Sequence, residues 1–479
     1  MLLSNLDFYP TLNFLVLTVV TSIAYRIIYN LYFHPLAKFR GPWYTACFSL
    51  PLAIISLKRW EHQWVFDLVK KYGRDAPIRV APEILLFPRP SALKEIYWDR
   101  SLNEKSTFYG TGLFGPPNLF TSLSSVDHTP LRKALGAGPA NAGETVDLCD
   151  KVAQFSAEIM TVFSFNQPWG FVKDSRDERG LLHSWREGLD FIGFSARFTF
   201  FRKHILNLPG VASWALPKPS VQRGMGHLIH EADHAITQRE YEISQGIYPE
   251  KPDFLQHCLD ARINDEPLTP LQKRSHVTLL IQAGADTTGT ALGAIIRFLA
   301  TTPGCYSKAL AQIREAEAKN LLSTPIQDEE VRAHLPYLIC AVKEGMRLNP
   351  SVSNWLPRVV PPEGKVIDGF FVPGGTDITC QAMVVQRDPI LFGPDPDAFR
   401  PERWMDGKDV ELEHGMFLFG VGPRGCLGKE IAFMETYKLI SEIVRRFDIE
   451  VLKEGIYTSA GGVSYNEDFI VKMHPRTAD

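Results

Sequence analysis

The chain has 479 residues, a net charge of −3, 45% hydrophobic and 22% charged residues. That length buries a sizeable core, and the near-neutral balance gives no support to nucleic-acid binding. Its seven cysteines (Cys47, Cys149, Cys258, Cys305, Cys340, Cys380 and Cys426) are odd in number, dispersed and without a C-x-x-C pair. This fits a reducing compartment and argues against a disulfide framework or a zinc site, with six of the seven read as small buried apolar residues.

Residues 8–29 read as a transmembrane anchor. No charge falls between Phe8 and Tyr25, and Phe14–Val20 is strongly apolar, close to the ~20 residues a spanning helix needs. Asp7 stands where a signal peptide wants a basic start, so the segment is expected to be retained. Arg26, Lys38 and Arg40 follow it, which leaves the body on the cytosolic side. Residues 30–45 form a Pro/Gly hinge. No linker, repeat or low-complexity tract divides 46–479, which predicts one large, mainly α domain with small β-sheets.

Within that domain Ser56–Tyr72 reads as an amphipathic helix, Pro77–Phe87 as strands, Ser91–Trp98 as a short helix and the Gly- and Phe-rich Lys105–Phe120 as a loop. His128 and Arg132 lie one turn apart on a further predicted helix, a pattern that an exposed basic face also produces. Gly136–Gly143 carries too much glycine, proline and asparagine to be helical. Asp147–Phe163 and Leu181–Phe198 are helical by pattern. The aromatics between Phe191 and Trp214 read mostly as core packing.

A long helix is expected from Thr269 to about Thr302, with Thr269 as N-cap and Pro270 in the first helical position. Inside it, Ala283-Gly284-Ala-Asp286-Thr287-Thr288 gathers poor helix formers. Glycine there costs about 1 kcal/mol against alanine, which asks for a reason. One reason is close helix packing. The other is a flat ligand lying against the helix, with Thr287 bonding back to an upstream carbonyl and bending it.

Glu344 and Arg347 share a helix face at i, i+3, a weak signal alone. Arg358 reads equally as a surface arginine or an anion-binding one. Val366–Phe371 and Thr376–Thr379 flank Pro373-Gly-Gly375 as a predicted hairpin, and Gly461-Gly-Val463 is a turn.

Phe417-Leu-Phe-Gly-Val-Gly-Pro-Arg-Gly-Cys-Leu-Gly428 places Cys426 at the end of a glycine-rich loop and the start of a helix. Helix dipole and backbone N–H groups there favour a thiolate. Gly420-x-Gly422-x-x-Gly425 also satisfies a dinucleotide fingerprint, but too little chain remains for a βαβ domain, and Pro423 and Arg424 suit a pyrophosphate badly.

Read as Phe419-Gly-x-Gly-x-Arg424-x-Cys426-x-Gly428, the stretch resembles the haem-binding loop of the cytochromes P-450. Ala283-Gly-x-Asp286-Thr287 resembles that family's oxygen-activating motif. Glu344-x-x-Arg347 and Phe399-Arg-Pro-Glu-Arg403-Trp resemble its structural motifs, and Tyr32–Pro42 is similar to the anchor-proximal segment of filamentous-fungal members. The resemblance implies a cytochrome P-450 fold behind one transmembrane helix, at the endoplasmic reticulum and facing the cytosol. It implies heme b with Cys426 as axial thiolate ligand of the iron, a ligation that favours O–O cleavage. Arg424, Arg132, His128 and Arg358 would meet the propionates, Phe419 would pack beside the iron–sulfur bond, and Gly284 would let the haem lie close. Thr287 and Asp286 would deliver protons, while Glu344, Arg347 and Arg403 would form a buried structural cluster.

The implied activity is hydroxylation or epoxidation of a hydrophobic small molecule with dioxygen, in fungal secondary metabolism. Electrons would come from NADPH through NADPH–cytochrome P-450 reductase. Two alternatives stand beside it. One is a haem–thiolate dehydratase or isomerase without net oxygen insertion, against which the Asp286–Thr287 pair argues. The other is an inactive membrane-tethered homologue, because family members place several more helical turns between Arg132 and Val146.

Overall fold

The computed structural model describes residues 8–102, 104–109 and 146–476, apart from 175–176, 178, 207, 212–215, 222, 250–251 and 264. His128, Arg132, Trp214, the Gly136–Gly143 stretch and most of the Lys105–Phe120 loop lie outside the described residues.

In chain order the elements that matter here begin with α1 (Phe8–Ile28), α2 (Leu50–Leu57), α3 (Glu61–Tyr72), β1 (Ile78–Ala81), β2 (Ile84–Leu86) and α4 (Ser91–Tyr97). Then come β3 (Val146–Asp147), α5 (Leu148–Phe165), α6 (Leu181–Arg197), α7 (Gly224–Ser244), α8 (Phe254–Asp260), α9 (Pro270–Ala283) and α10 (Ala285–Thr301). The last part holds α11 (Cys305–Ala318), α12 (Asp328–His334), α13 (Pro336–Leu348), β4 (Arg358–Val359), β5 (Lys365–Ile367), β6 (Phe370–Val372) and β7 (Asp377–Thr379). It closes with α14 (Lys429–Arg446), β8 (Phe447–Ala460) and β9 (Val463–Pro475).

The molecule is mainly helical with small sheets. α10 is its axis: Leu292, Ile295, Ile296 and Leu299 are buried against Ile313 of α11, Leu338 and Val342 of α13, and Ile440 and Val444 of α14. One sheet runs β1–β2–β7–β4, with β2 and β7 parallel and the other pairs antiparallel. A second runs β8–β9–β3.

α1 is exposed and, with the π-turn Tyr29–Phe33 that continues it, long and apolar enough to cross a bilayer. The stretch Pro270–Thr301 passes the same test but is mostly buried in the core. The segment after α1 is clamped rather than free. Arg79 donates to the Asn30 carbonyl at 2.6 Å and to its side-chain oxygen at 3.3 Å. A Cβ on Gly41 would lie 2.0 Å from the Arg79 carbonyl oxygen, so only glycine lets the chain pass there.

Several local expectations change. The single helix over Ser56–Tyr72 is two, α2 and α3, because Arg59 adopts a left-handed φ of 56° and turns its side chain to Asp190, to which it donates at 2.9 and 3.2 Å. The predicted hairpin about Pro373-Gly-Gly375 is displaced. The hairpin is β5–β6, turning at Asp368-Gly369, both with positive φ (49° and 81°), while 377–379 joins β2 instead. An Asp-Gly pair is the stronger turn signal, since both central residues of a type I′ turn need the left-handed region. Phe191, Phe194, Phe198, Phe200 and Phe201 are not core. They are half-buried or exposed and stack mainly on one another, with ring centroids 5.5–6.4 Å apart. The turn at Gly461-Gly462 caps a long hairpin, β8–β9, whose strands the apolar pattern did not announce.

Candidate active site

The long central helix begins as its sequence dictates. Thr269 caps it in a capping box with Gln272, and Pro270 opens the first turn. It then divides at Gly284 into α9 and α10. The Thr287 hydroxyl donates to the Ala283 carbonyl at 2.7 Å, competing for the oxygen that the helix ladder would use, which bends the helix. Ala283 is exposed in the middle of this otherwise buried helix, and Thr287, one turn on, is half-buried on the same face. The helix therefore presents an accessible face there.

Gly284 does not point that way. A Cβ at Gly284 would lie 2.3 Å from the Met160 sulfur of α5. The glycine allows α5 to approach, as Gly289 does against Ala153 and Gly293 against Cys149. Close helix packing is thus the geometry seen at Gly284, and Ala283 is the small residue on the accessible face.

Asp286 points elsewhere. Its carboxylate is 1% exposed and accepts from Arg186 of α6 at 2.8 and 3.2 Å. Arg186 also reaches Asp150 at 3.0 Å. Burial works against the Arg186 charge, yet the two carboxylates outweigh it and raise its pKa.

Cys426 lies at the end of the glycine-rich loop, three residues before α14 begins at Lys429, rather than on the helix itself. The loop is fixed from within: the Cys426 amide donates to the Phe419 carbonyl at 2.7 Å and the Gly420 amide to the Phe417 carbonyl at 2.8 Å. Gly420 and Gly422 have positive φ, 64° and 72°, and a Cβ on Gly422 would lie 2.1 Å from the Tyr97 carbonyl oxygen. Six cysteines are buried and Cys426 alone is exposed, as a thiol meant to meet something outside the protein must be. Phe419 packs on Phe433 of α14, ring centroids 5.2 Å apart.

Behind the loop sits the buried cluster the sequence suggested. Glu344, fully buried, accepts from Arg347 at 2.8 and 2.9 Å and from Arg403 at 2.8 Å. Trp404 adds a fourth bond at 2.9 Å. Burial would raise the Glu344 pKa, but the Arg347 hydrogen bonds and the charges of Arg347 and Arg403 outweigh it and lower it. Sequence reasoning missed the link from this cluster to the cysteine loop. The buried Gln386 donates to the Arg347 carbonyl at 2.8 Å and accepts from the Phe417 and Leu418 amides, each at 2.8 Å. No local pattern marks a single glutamine as a bridge between two distant segments.

Arg358 and Arg424 come together, joined by Lys105, whose backbone pairs with Arg358. Burial, with Arg358 beside it, lowers the Arg424 guanidinium to about 10. Burial and then both arginines hold Lys105 well below an ordinary lysine. Lys105 also lies over the Tyr109 ring at 4.7 Å, and Arg358 over the Tyr97 ring at 4.9 Å. Glu104 offsets part of this repulsion at Arg424, which is half-buried while Lys105 and Arg358 are buried, and the positive side of the balance suits an anionic guest. An exposed thiol, an accessible helix face at Ala283 and Thr287, and a largely buried cationic cluster fit a flat, doubly carboxylated group that carries a thiolate-binding metal. Haem b has that chemistry. Lys105 and Tyr109 had no signal in the sequence beyond their place at the start of the 105–120 loop.

Comparison with known proteins agrees with this arrangement. Residues 134–461 match the family model described as cytochrome P-450. The chain is 29% identical over 459 residues to the cytochrome P-450 monooxygenase aba1 of Botryotinia fuckeliana, an alignment that covers 87% of each chain. It is 29% identical over 469 residues to a pisatin demethylase of Fusarium vanettenii, covering 90% of this chain and 89% of that protein. It is 26% identical over 468 residues to the cytochrome P-450 monooxygenase hepC of Aspergillus oryzae, covering 89% of each. Fold, site chemistry and family model thus converge, and the chain belongs to the cytochrome P-450 family of haem–thiolate oxidoreductases.

Proposed function

We propose that this chain is a monooxygenase that hydroxylates or epoxidises a hydrophobic small molecule, in fungal secondary metabolism. The observation that carries the reading is the exposure of Cys426 alone among the cysteines, together with the accessible helix face at Ala283 and Thr287 and the cationic cluster of buried Arg358 and Lys105 with half-buried Arg424. Haem b, when bound, supplies an iron that takes electrons and reduces dioxygen with O–O cleavage.

In this reading Cys426 would hold the iron through its sulfur, on a loop pinned by the hydrogen bonds of the Cys426 amide to Phe419 and the Gly420 amide to Phe417, and Phe419 would pack beside the sulfur. Arg424 and Arg358, with Lys105, hold the propionates; Arg132 and His128 are further candidates for the same task. Thr287 holds a proton-donating hydroxyl at the accessible helix face, tethered through Ala283. Asp286 passes protons from the surface only when Arg186 lets go of its carboxylate, so Arg186 is the gate on that route. Glu344, Arg347 and Arg403 keep the loop in place through Gln386.

As the family resemblance implies, electrons would come from NADPH through a partner NADPH–cytochrome P-450 reductase. α1 anchors the protein in the endoplasmic reticulum membrane, with the body in the cytosol, supported by its exposure, its apolar length and the basic residues that follow it.

The test is the spectrum of the reduced, carbon monoxide-bound full-length protein beside Cys426→Ala. A strongly red-shifted Soret band that the variant lacks is the expected result. A blue-shifted band in the unaltered protein, or none, would sink the haem–thiolate assignment of Cys426. Turnover with reductase, NADPH and isotopically labelled dioxygen then separates oxygen insertion, which labels the product, from dehydration or isomerisation, which does not.

A further inference from the structure

Asn349 and Pro350 follow α13, and the next residue, Ser351, is 4% exposed. Its hydroxyl donates to the Thr287 carbonyl at 2.5 Å. Its own carbonyl accepts from the Ser464 amide of β9 at 2.9 Å, beside an isolated bridge between Val352 and Val463. The Ser464 carbonyl in turn accepts from the Thr290 hydroxyl at 2.8 Å. Thr290 lies one turn past Thr287 in α10, so the helix closes a ring: Thr287, Ser351, Ser464, Thr290. Asn466 braces it, donating to the Thr290 carbonyl at 3.0 Å.

The ring constrains one residue in two directions. Inside a helix a carbonyl serves the amide four residues on, and a hydroxyl inserted beside that bond tilts the peptide outward. Ser351 does this to the Thr287 carbonyl, while the Thr287 hydroxyl is drawn back to Ala283. The ring also continues to the turn of β8–β9. Ser464 donates to the Ser353 hydroxyl at 2.9 Å, the Ser353 amide donates to the Gly462 carbonyl at 3.0 Å, and Tyr457 donates to Ser464 at 2.8 Å. That turn abuts α6, where a Cβ on Gly193 would lie 2.7 Å from the Gly461 Cα.

We infer that Ser351 is a positioning residue: through the Thr287 carbonyl, and closed by Thr290 and Ser464, it sets where the Thr287 hydroxyl sits on the accessible helix face. The inference rests on the role proposed above for Thr287, but the hydrogen-bond ring is made by the protein's own atoms alone. Losing one buried bond of about 1 kcal/mol opens the first turns of α10 about fivefold more often.

Two readouts test this in the full-length protein, for Ser351→Ala, Ser351→Thr and Thr290→Val. The first is amide hydrogen exchange across residues 286–292, with and without haem. The second is the infrared stretching band of carbon monoxide bound to the reduced protein, with Thr287→Ala as reference. Ser351→Ala should speed exchange about fivefold and shift the band toward that of Thr287→Ala, with the Soret position unchanged, and Ser351→Thr should restore both. Thr290→Val should act in the same direction from the other side of the ring, and decides the matter if Ser351→Ala does not fold. Unchanged exchange and an unchanged band in Ser351→Ala would overturn the inference, as would equal effects of alanine and threonine, which would mean packing rather than the hydroxyl. Failure of the haem reading shows separately, as a missing thiolate spectrum in the unaltered protein, and leaves the haem-free exchange result standing.

Discussion

Arg186 of α6 and Asp286 of α10 form a two-point ion pair, 2.8 and 3.2 Å, with the acid nearly inaccessible and the arginine open on one side to a surface cleft of about 650 Å³. The acid next to Thr287 is thus held from the α6 side of the helix rather than from the face of Ala283 and Thr287.

Removing only one partner strands a buried charge. Arg186→Leu should cost about 3 kcal/mol of unfolding free energy. Adding Asp286→Asn should recover at least half of it, because the acid no longer needs a counter-charge. Denaturant titrations of the two single variants and the double variant measure the coupling; simple additivity would mean the pair contributes nothing to stability.

Glu344 makes the fold acid-sensitive. Its pKa is below the ordinary 4.5 because the Arg347 and Arg403 bonds outweigh burial. A depressed carboxylate contributes stability that is present above its unfolded value and lost as pH falls through the folded one. The melting temperature should therefore hold above about pH 4.5 and drop below it. Glu344→Gln should lose about 3 kcal/mol at pH 7 and show a shallower acid limb.

Glu435 of α14 has the opposite sign. Burial alone pushes it up to about 8 from 4.5. Its contribution is fully present below 4.5 and is lost as pH rises toward 8, since the unfolded chain ionises first. Glu435→Gln should flatten that decline and be more stable than the parent at pH 8 by roughly 3 kcal/mol, less than the full linkage value because a buried site relaxes. Parallel melting curves of the two proteins across pH 5–8 would contradict this.

The Arg358–Arg424–Lys105 cluster should separate haem-free from haem-bound stability. Arg358→Leu relieves repulsion in the empty protein, raising its stability by about 1 kcal/mol, while haem release to an acceptor globin quickens about tenfold, the worth of one charged contact. A change of the same sign in both forms would show that Arg358 packs the sheet instead of holding an anion.

Much of this site was legible because its signals are local. The N-cap at Thr269, the glycines that let the Cys426 loop turn, and the back-bond that Thr287 makes to Ala283 depend on neighbours within a few residues. Glu344, Arg347 and Arg403 were legible only as a motif, since nothing in an i, i+3 pair says that it will be buried. Gly284 was ambiguous for the same reason: small residues suit a ligand and a helix neighbour equally, and Met160 on α5 is the neighbour its Cβ position would meet.

The sequence by itself determined a mainly α chain with an apolar leading helix, a bent central helix, and one cysteine set apart in a glycine-rich loop. Backbone propensity, capping and φ requirements act over a turn or two, and one chain suffices to read them. Tertiary structure alone decided what those residues touch. It turned Asp286 to Arg186, drew Lys105 to Arg358, bridged Arg347 to the cysteine loop through Gln386, and tied Thr287 to Ser351. Those pairings span from 31 to more than 250 positions, and only the packing of the whole core fixes which distant polar groups meet where water cannot reach them.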